Sequence, residues 1–317
     1  MNIATTHADK VYSTAMAASK AASSPLAASW RRCLDLYRLD PGQPSQPEGV
    51  DAPAFREARE RMGHLIAISA EEMDRLFHVA GRSGCCLVLA DRNGIVLERR
   101  SMAGDDKDFH AHGLGLQRVW SEASVGTNGI GTALADERPV VIERDQHFLS
   151  ANGALTCATA PIRDHRGQVM AALDISTCRR DINDMAVTML AQAIRDAAQR
   201  VEIALFRAAF SGARIVMAGP SASSAALLAV DGDDLVLGAT RAARLSLGID
   251  DKRIALGLPA ADALKEQDAS AEDLREAERS ALRRALSRTG GNVSQAAQLL
   301  GISRATIHRK LKRFGLH

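Results

Sequence analysis

GGNVSQAAQLLGISRATIHRKLKRFGL, residues 290–316, holds two short helical patterns separated by a glycine. Asn292 or Ser294 can cap a helix running to Leu300, and Gly301 can leave that helix with positive φ. Ser303 caps the second pattern, in which Ile307, Leu311 and Phe314 recur at helical spacing and predict an inward stripe against Ala296, Ala297 and Leu300. Ala305, His308, Arg309 and Lys312 fall on the opposite side, with Arg304 and Thr306 near the helix start. From Arg279 to the C-terminus there is no Asp or Glu, while Arg304, Arg309, Lys310, Lys312 and Arg313 crowd the second helix. A two-helix cap with a merely solvated basic face is the bland alternative. It is disfavoured because cap, glycine turn, second cap, apolar stripe and cations fall in order within one window, as in a helix-turn-helix suited to the major groove.

The same residues resemble the C-terminal DNA-binding module of the Fis nucleoid protein and of sigma-54-dependent activators. That resemblance implies contact with double-stranded DNA by Ser303, Arg304, Thr306, His308, Arg309, Lys310 and Lys312, with Ser294 touching phosphate from the preceding helix. It also implies a homodimer. Upstream, Ala271 to Thr289 predicts a helix with Leu274, Ala277, Ala281, Leu282, Ala285 and Leu286 on one side, a face able to pair with its twin. We place the all-α DNA-binding domain at residues 270–317.

The net charge of the whole chain is only +2, yet Asp262, Glu266, Asp268, Glu272, Asp273, Glu276 and Glu278 precede the cationic end. Such asymmetry points to a local nucleic-acid surface rather than a basic coat. At 317 residues two or three domains are expected. No stretch approaches the ~20 apolar residues of a membrane span, and Lys10 and Lys20 bracket no apolar signal core. A cytoplasmic location without membrane contact is therefore expected. The odd set Cys33, Cys85, Cys86, Cys157 and Cys178 suits reduced thiols.

Residues 1–28 are rich in Ala, Ser and Thr and read as a flexible or frayed helical tail. SWRRCLDLYRLDPGQP places Trp30, Cys33, Leu34 and Tyr37 at helical spacing, and Phe55 to Gly81 predicts a further helix interrupted near Ser69. The run Cys85 to Ala90, the turn Asn93-Gly94 and the run Ile95 to Leu97 predict a hairpin. Further strands are expected at residues 139–143, 155–162 and 169–176, followed by a long amphipathic helix over 181–210 carrying Ile182, Met185, Met189, Ala193, Ala197, Val201 and Leu205 on one side. The fold class is α+β, an antiparallel sheet flanked by helices.

Within residues 29–206, WSEASVGTNGIGTAL, DQHFL and TCATAPIRDHRGQVMAALDIS, preceded by the Ser-Trp and Arg-Cys of residues 29–33, resemble the GAF domain of the acetoin catabolism regulator family. Gln146 stands where that family often has Glu. The resemblance implies a sheet with a small organic effector held on one face. The glycines of 126–131 permit a tight loop beside such a pocket, and Trp120, Asn128, His147 and Thr156 are its candidate liners. The alternative is a core tryptophan and glycines that only cap and turn the chain. His110, His112, His147 and Cys157, or Cys85 with Cys86, lack a zinc spacing, so no metal or cofactor is expected.

Residues 211–264 differ in texture. Leu227 to Val230, Asp231-Gly232-Asp233 and Leu235 to Leu237 predict strand, turn, strand, then a helix over 239–247, which looks like the start of a PAS domain or a folded linker. In the activators that the chain resembles, an ATPase occupies this place. Here the segment is too short for one, and no GxxxxGK[ST], GxSxG or HExxH sequence occurs, so no catalytic residues are assigned. These readings converge on a ligand-responsive, dimeric, DNA-binding transcription regulator that is not an enzyme. A nucleoid-type structural protein, whose N-terminal part only oligomerises, is the rival.

Overall fold

Thr6 opens the first helix, α1 (His7–Met16), with a reciprocal cap: its hydroxyl accepts from Asp9 N and the Asp9 carboxylate accepts from Thr6 N. The computed structural model describes residues 6–17, 24–43, 46–218, 225–265 and 274–316. The expected tail is thus in part a helix that buries Val11 and Ala15, while residues 18–23 lie outside the described residues. Ser24 caps α2 (Pro25–Asp35). Asp51 caps α3 (Ala52–Arg61), and α4 (Gly63–Ala80) follows after a break at Met62. Ser69, where an interruption was expected, is instead buried inside α4. A small polar residue tolerated within a helix reads in sequence like a breaker.

The sheet is then laid down as β1 (Cys85–Asp91), β2 (Val96–Arg100), β3 (Val140–Glu143), β4 (Thr156–Arg163) and β5 (Val169–Thr177). Between β2 and β3 lie the short helices α5 (Asp106–Ala111), α6 (Glu122–Val125) and α7 (Gly129–Asp136). Every pairing is antiparallel, in the order β2-β1-β5-β4-β3. The β1–β2 turn is closed by the Asp91 carboxylate, which accepts from Asn93 N and Ile95 N, each at 2.9 Å. The sheet is covered on both faces, so its strands read as apolar runs rather than as a clean alternation.

On one face Leu87, Leu89, Ala158, Ala160, Leu173 and Ile175 pack against Leu65 and Met73 of α4 and against the long helix α8 (Asp184–Ala209). On the other, Cys86, Val88, Ala90, Cys157 and Ala172 meet Trp30, Trp120, Ile130 and Phe148 from α2, α7 and the loops. One layer of helices and one of loops therefore enclose the sheet, which is the α+β arrangement expected.

The stripe foreseen on α8 is corrected. Val201 and Leu205 are buried on the sheet, but Met185 and Met189 stand 72% and 66% exposed, and Ile182 precedes the helix. Residues at strict four-residue intervals precess by about 40° per step. Over the sixteen positions from Met185 to Val201 that carries them to opposite sides, and the buried set at the start of the helix is Val187, Ala191 and Ile194.

Beyond α8 the chain forms a three-stranded meander, β6 (Arg214–Met217), β7 (Leu227–Val230) and β8 (Val236–Ala239), then α9 (Arg241–Leu247), α10 (Asp251–Ala255) and α11 (Ala260–Lys265). Leu227 and Ala229 pack on Phe206 of α8, and Phe210 and Ile215 join them. Strand β6 was not anticipated, although Ser211 and Gly212 form a turn just before it. Residues 1–260 make one compact unit and 261–317 a second. In the second, α12 (Leu274–Arg288), α13 (Val293–Leu299) and α14 (Arg304–Phe314) surround one core.

Candidate nucleic-acid interface and sensor site

The helix pair α13–α14 is built from local signals. Asn292 caps α13, its side-chain oxygen accepting from Ser294 N at 3.1 Å and Gln295 N at 3.2 Å. At the far end Gly301 adopts φ 63° and Ile302 N bonds back to Ala297 O at 3.0 Å, a left-handed exit that a β-carbon would strain. Ser303 then caps α14 through Thr306 N at 3.1 Å. Ile307 and Leu311 are buried with Ala296, Ala297, Leu282 and Ala285, and Phe314 packs on them. Of the apolar face expected on α12, Leu282, Ala285 and Leu286 pack within their own unit, while the side chains of Leu274 and Ala277 lie outside the described residues.

Opposite that core, Arg304, Ala305, His308, Arg309 and Lys312 are exposed, and Ser294 and Ser303 are exposed beside them. Arg304, Arg309 and Lys312 have no ion-pair partner among the described residues. Thr306 is half-buried, with its hydroxyl 2.8 Å from that of Ser303. Lys310 differs from the rest. It is half-buried and pairs with Glu278 of α12, which holds the Glu278 carboxyl below its ordinary pKa. On a different side of the helix from the exposed cations, it braces α14 against α12.

In the larger unit, α2 straps the loop side of the sheet. Ser29 Oγ donates to Glu122 at 2.7 Å and lies 2.6 Å from the Thr127 hydroxyl. Arg32 grips the buried Glu122 through Nε at 2.6 Å and Nη2 at 2.8 Å and reaches Asp136 at 3.0 Å, which raises its own pKa. Trp30 Nε1 donates to Gln146 O at 2.9 Å. Cys33 sits beneath, its thiol pushed up to about 12 by burial and therefore inert. From outside, His7 of α1 touches Phe148 O at 3.0 Å and Lys10 pairs with Asp145.

Under this strap lies a buried polar cluster. Asp174, on β5, accepts from Thr159 Oγ1 at 2.5 Å and Ser176 Oγ at 2.6 Å. Ser176 Oγ also lies 3.1 Å from Cys157 Sγ, which is 3.5 Å from His147 Nε2. Burial raises the Asp174 carboxyl to about 6 and lowers His147 to about 4. The Cys157 thiol is pushed up for the same reason. Gly129, the first residue of α7, closes the cluster: a β-carbon there would stand 2.4 Å from Thr159 Oγ1 and 2.9 Å from Asp174 Oδ1.

Of the four candidate liners, His147 joins this cluster. Asn128 is buried next to it but its side chain is spent as the α7 cap, accepting from Gly131 N and donating to Gly126 O, each at 2.8 Å. Trp120 is a core residue of the same side, its Nε1 donating to Gly113 O at 3.1 Å. Thr156 is not brought to the cluster. Strand alternation puts it on the helix side with Ala158 and Ala160, where its hydroxyl is buried without a hydrogen-bond partner among the described residues. Asp174, Thr159 and Ser176 were missed, because a carboxylate inside an apolar run carries no motif. The only available signal was its charge within Met170 to Ile175.

Cys85 and Cys86 face opposite sides of the sheet, in the helix-side and loop-side cores respectively. No group of three or more His, Cys, Asp or Glu arranged for a metal is present among the described residues. No helix is long and apolar enough to cross a membrane among the described residues.

Comparison with known proteins assigns a family to each of two stretches of the chain. Residues 64–205 match the GAF domain family and residues 273–314 match the bacterial regulatory protein, Fis family. The acetoin catabolism regulatory protein of Cupriavidus necator is 31% identical over 178 residues, 56% of this chain and 27% of that protein. The acetoin dehydrogenase operon transcriptional activator AcoR of Bacillus subtilis is 25% identical over 158 residues, 48% of this chain and 25% of its own length. The chain therefore spans less than a third of the curated relatives it matches. Among solved structures, a chain of the E. coli DhaR(N)–DhaL complex superposes with TM-score 0.54 at 14% identity, covering 71% of this chain and 77% of that one, a likeness of fold. The chain accordingly joins a GAF domain to a helix-turn-helix of the Fis family and is similar to acetoin-operon transcriptional regulators.

Proposed function

We propose that the protein is a sequence-specific transcription regulator of the cytoplasm that binds double-stranded DNA as a homodimer and responds to a small organic effector held by its GAF domain. The observation that carries this reading is the exposed, unpaired cationic side of α14, whose opposite side is fixed by a buried core. Arg304 and Arg309 read base edges with Thr306, each good Arg–guanine pair contributing ~1 to 3 kcal/mol of discrimination, while Lys312, His308, Ser303 and Ser294 hold the backbone. Lys310, neutralised by its ion pair with Glu278, holds α14 in place rather than contacting DNA directly. Gel shifts at fixed salt test this. Arg309→Ala is expected to lower affinity and relax sequence preference, and unchanged values for both would refute the assignment of the recognition helix.

The effector is proposed to enter on the loop side of the sheet, at Asn128, His147 and Trp120. The buried polar groups there, in an otherwise apolar layer, support the reading. The exposed Met185 and Met189 support a dimer seam along the first half of α8. An effector that shifts that seam should change operator affinity by about five- to a hundredfold. Calorimetry against a metabolite panel, followed by operator titration, measures it. A ligand that binds tightly yet leaves operator affinity unmoved would favour the nucleoid-type structural protein, because equal affinity for both states shifts nothing.

A further inference from the structure

A cleft of about 400 Å³ opens on the helix side of the larger unit, between α8, β4, the turn before β3 and α9. That volume lies within the range of small-molecule sites, ~300 to 1,000 Å³. It shares no lining residue with the Asp174 and His147 cluster. Four arginines border it, and their circumstances differ. Arg138 is held by Asp136 at 2.8 Å. Arg163 is buried and satisfied by Glu137 at 3.2 Å and by the carbonyls of Glu137 and Gly167. Arg195 of α8 and Arg241 of α9 are exposed, with no hydrogen bond or ion pair among the described residues.

Two acidic groups line the cleft, Glu137, which is held by Arg163, and Glu202. Glu202 is turned to Arg163, accepting from its backbone N at 2.8 Å, and burial pushes its carboxyl up to about 7 against the opposing pull of Arg163 and Arg241. Apart from Gln199 the remaining lining is apolar, including Ala160 and Pro161 of β4, Ala198 of α8, and Leu245 of α9, which is 72% exposed. Two unpaired guanidiniums beside an apolar floor match an anionic head on a hydrocarbon body. A guanidinium recognises carboxylate through paired, charge-assisted hydrogen bonds.

We propose that this cleft binds a small organic carboxylate, with its head group on Arg195 and Arg241 and its hydrocarbon chain on Ala160, Pro161, Ala198 and Leu245. The site is separate from the loop-side effector site, and its occupant bridges α8, which joins the GAF sheet to the small meander, and α9, which follows that meander.

Calorimetry on the full chain with acetate, butyrate and hexanoate, and with hexanol and inorganic phosphate as comparators, tests the proposal without any DNA readout. Its failure is therefore distinct from failure of the regulator reading. Affinity should rise along the carboxylate series by up to about fourfold per buried methylene, and hexanol should not bind. Arg195→Gln and Arg241→Gln should each weaken hexanoate by about tenfold or more. Both side chains are exposed, so the melting temperature should not move. Leu245→Ser should flatten the dependence on chain length and leave acetate unchanged. The proposal is overturned if no carboxylate binds, if phosphate binds as tightly as hexanoate, or if neither arginine variant alters binding.

Discussion

Asp174→Asn should make the protein more stable at neutral pH and less dependent on an ionisation that the fold opposes. The carboxyl is buried and raised from 3.8 to about 6, so above pH 6 its ionised form is present at the expense of the fold. A rise of about two pH units at about 1.4 kcal/mol each corresponds to ~3 kcal/mol. The sign follows from linkage. The destabilisation is fully present above the folded pKa and fades as pH falls from about 6 toward 3.8, so this group makes the protein more stable toward acid. His147 acts oppositely. It is lowered from 6.5 to about 4, and as pH falls through that window only the unfolded chain takes up the proton. That loss is likewise ~3 kcal/mol.

The two groups nearly cancel between pH 7 and pH 4, and the substitution uncovers the histidine. Asparagine keeps Oδ1 as the acceptor for the Thr159 hydroxyl, and its Nδ2, standing where Oδ2 was, donates to Ser176 Oγ, whose own proton turns to Cys157 Sγ, so the cluster stays bonded. Denaturant titration of both proteins at several pH values, followed by tryptophan fluorescence, reports this unit, because Trp30 and Trp120 are both buried in the loop-side core. The variant should exceed the parent by up to ~3 kcal/mol at pH 7, and the gap should close as pH approaches 4. Exposed groups common to both proteins drop out of the difference. A constant gap across that range, or a variant weaker at every pH, would show that Asp174 is not the strained carboxylate described. A destabilising charge retained in the interior is also what a functional site would show.

Gly129→Ala would place a β-carbon 2.4 Å from Thr159 Oγ1 and 2.7 Å from Cys157 Cβ, so α7 must lift from the sheet. A loss of ~1 to 3 kcal/mol in the same titration is expected, and an unchanged midpoint would mean that α7 is free to move. Ile307→Ala, in the core beneath α14, should cost about 2 to 5 kcal/mol of the C-terminal unit's stability and abolish operator binding without touching a DNA-facing residue. Circular dichroism melts and gel shifts together check it, and normal DNA binding by a folded variant would contradict the assignment of the core. The purified chain should turn over no ATP above background, since it carries no phosphate loop. Turnover lost in a point mutant of this chain would overturn that reading.

Much of the DNA-binding unit was legible in the sequence because its information is local. Asn292, Gly301 and Ser303 act within three or four residues of themselves, and Ile307 and Leu311 share a side through helical geometry alone. The strands near residues 85–100, 140–143, 156–163 and 169–177 were legible as apolar runs between turn residues. What the sequence could not decide is which distant groups meet. Thr159 and Asp174 pair across β4 and β5, and Gly129 is pressed on both by the fold of α7. That register placed Thr156 with the helices and His147 with the polar cluster, although both were expected to line one pocket. Lys310 looked like its cationic neighbours until packing set it against Glu278. Met185 and Met189 left the buried stripe because helical precession accumulates over a helix of 26 residues. The cleft at Arg195 and Arg241 exists only because α9 returns to α8 after the meander. Local spacing thus determined the elements and their capped ends, whereas pairing between remote segments, which no short period encodes, decided the chemistry of both candidate ligand sites.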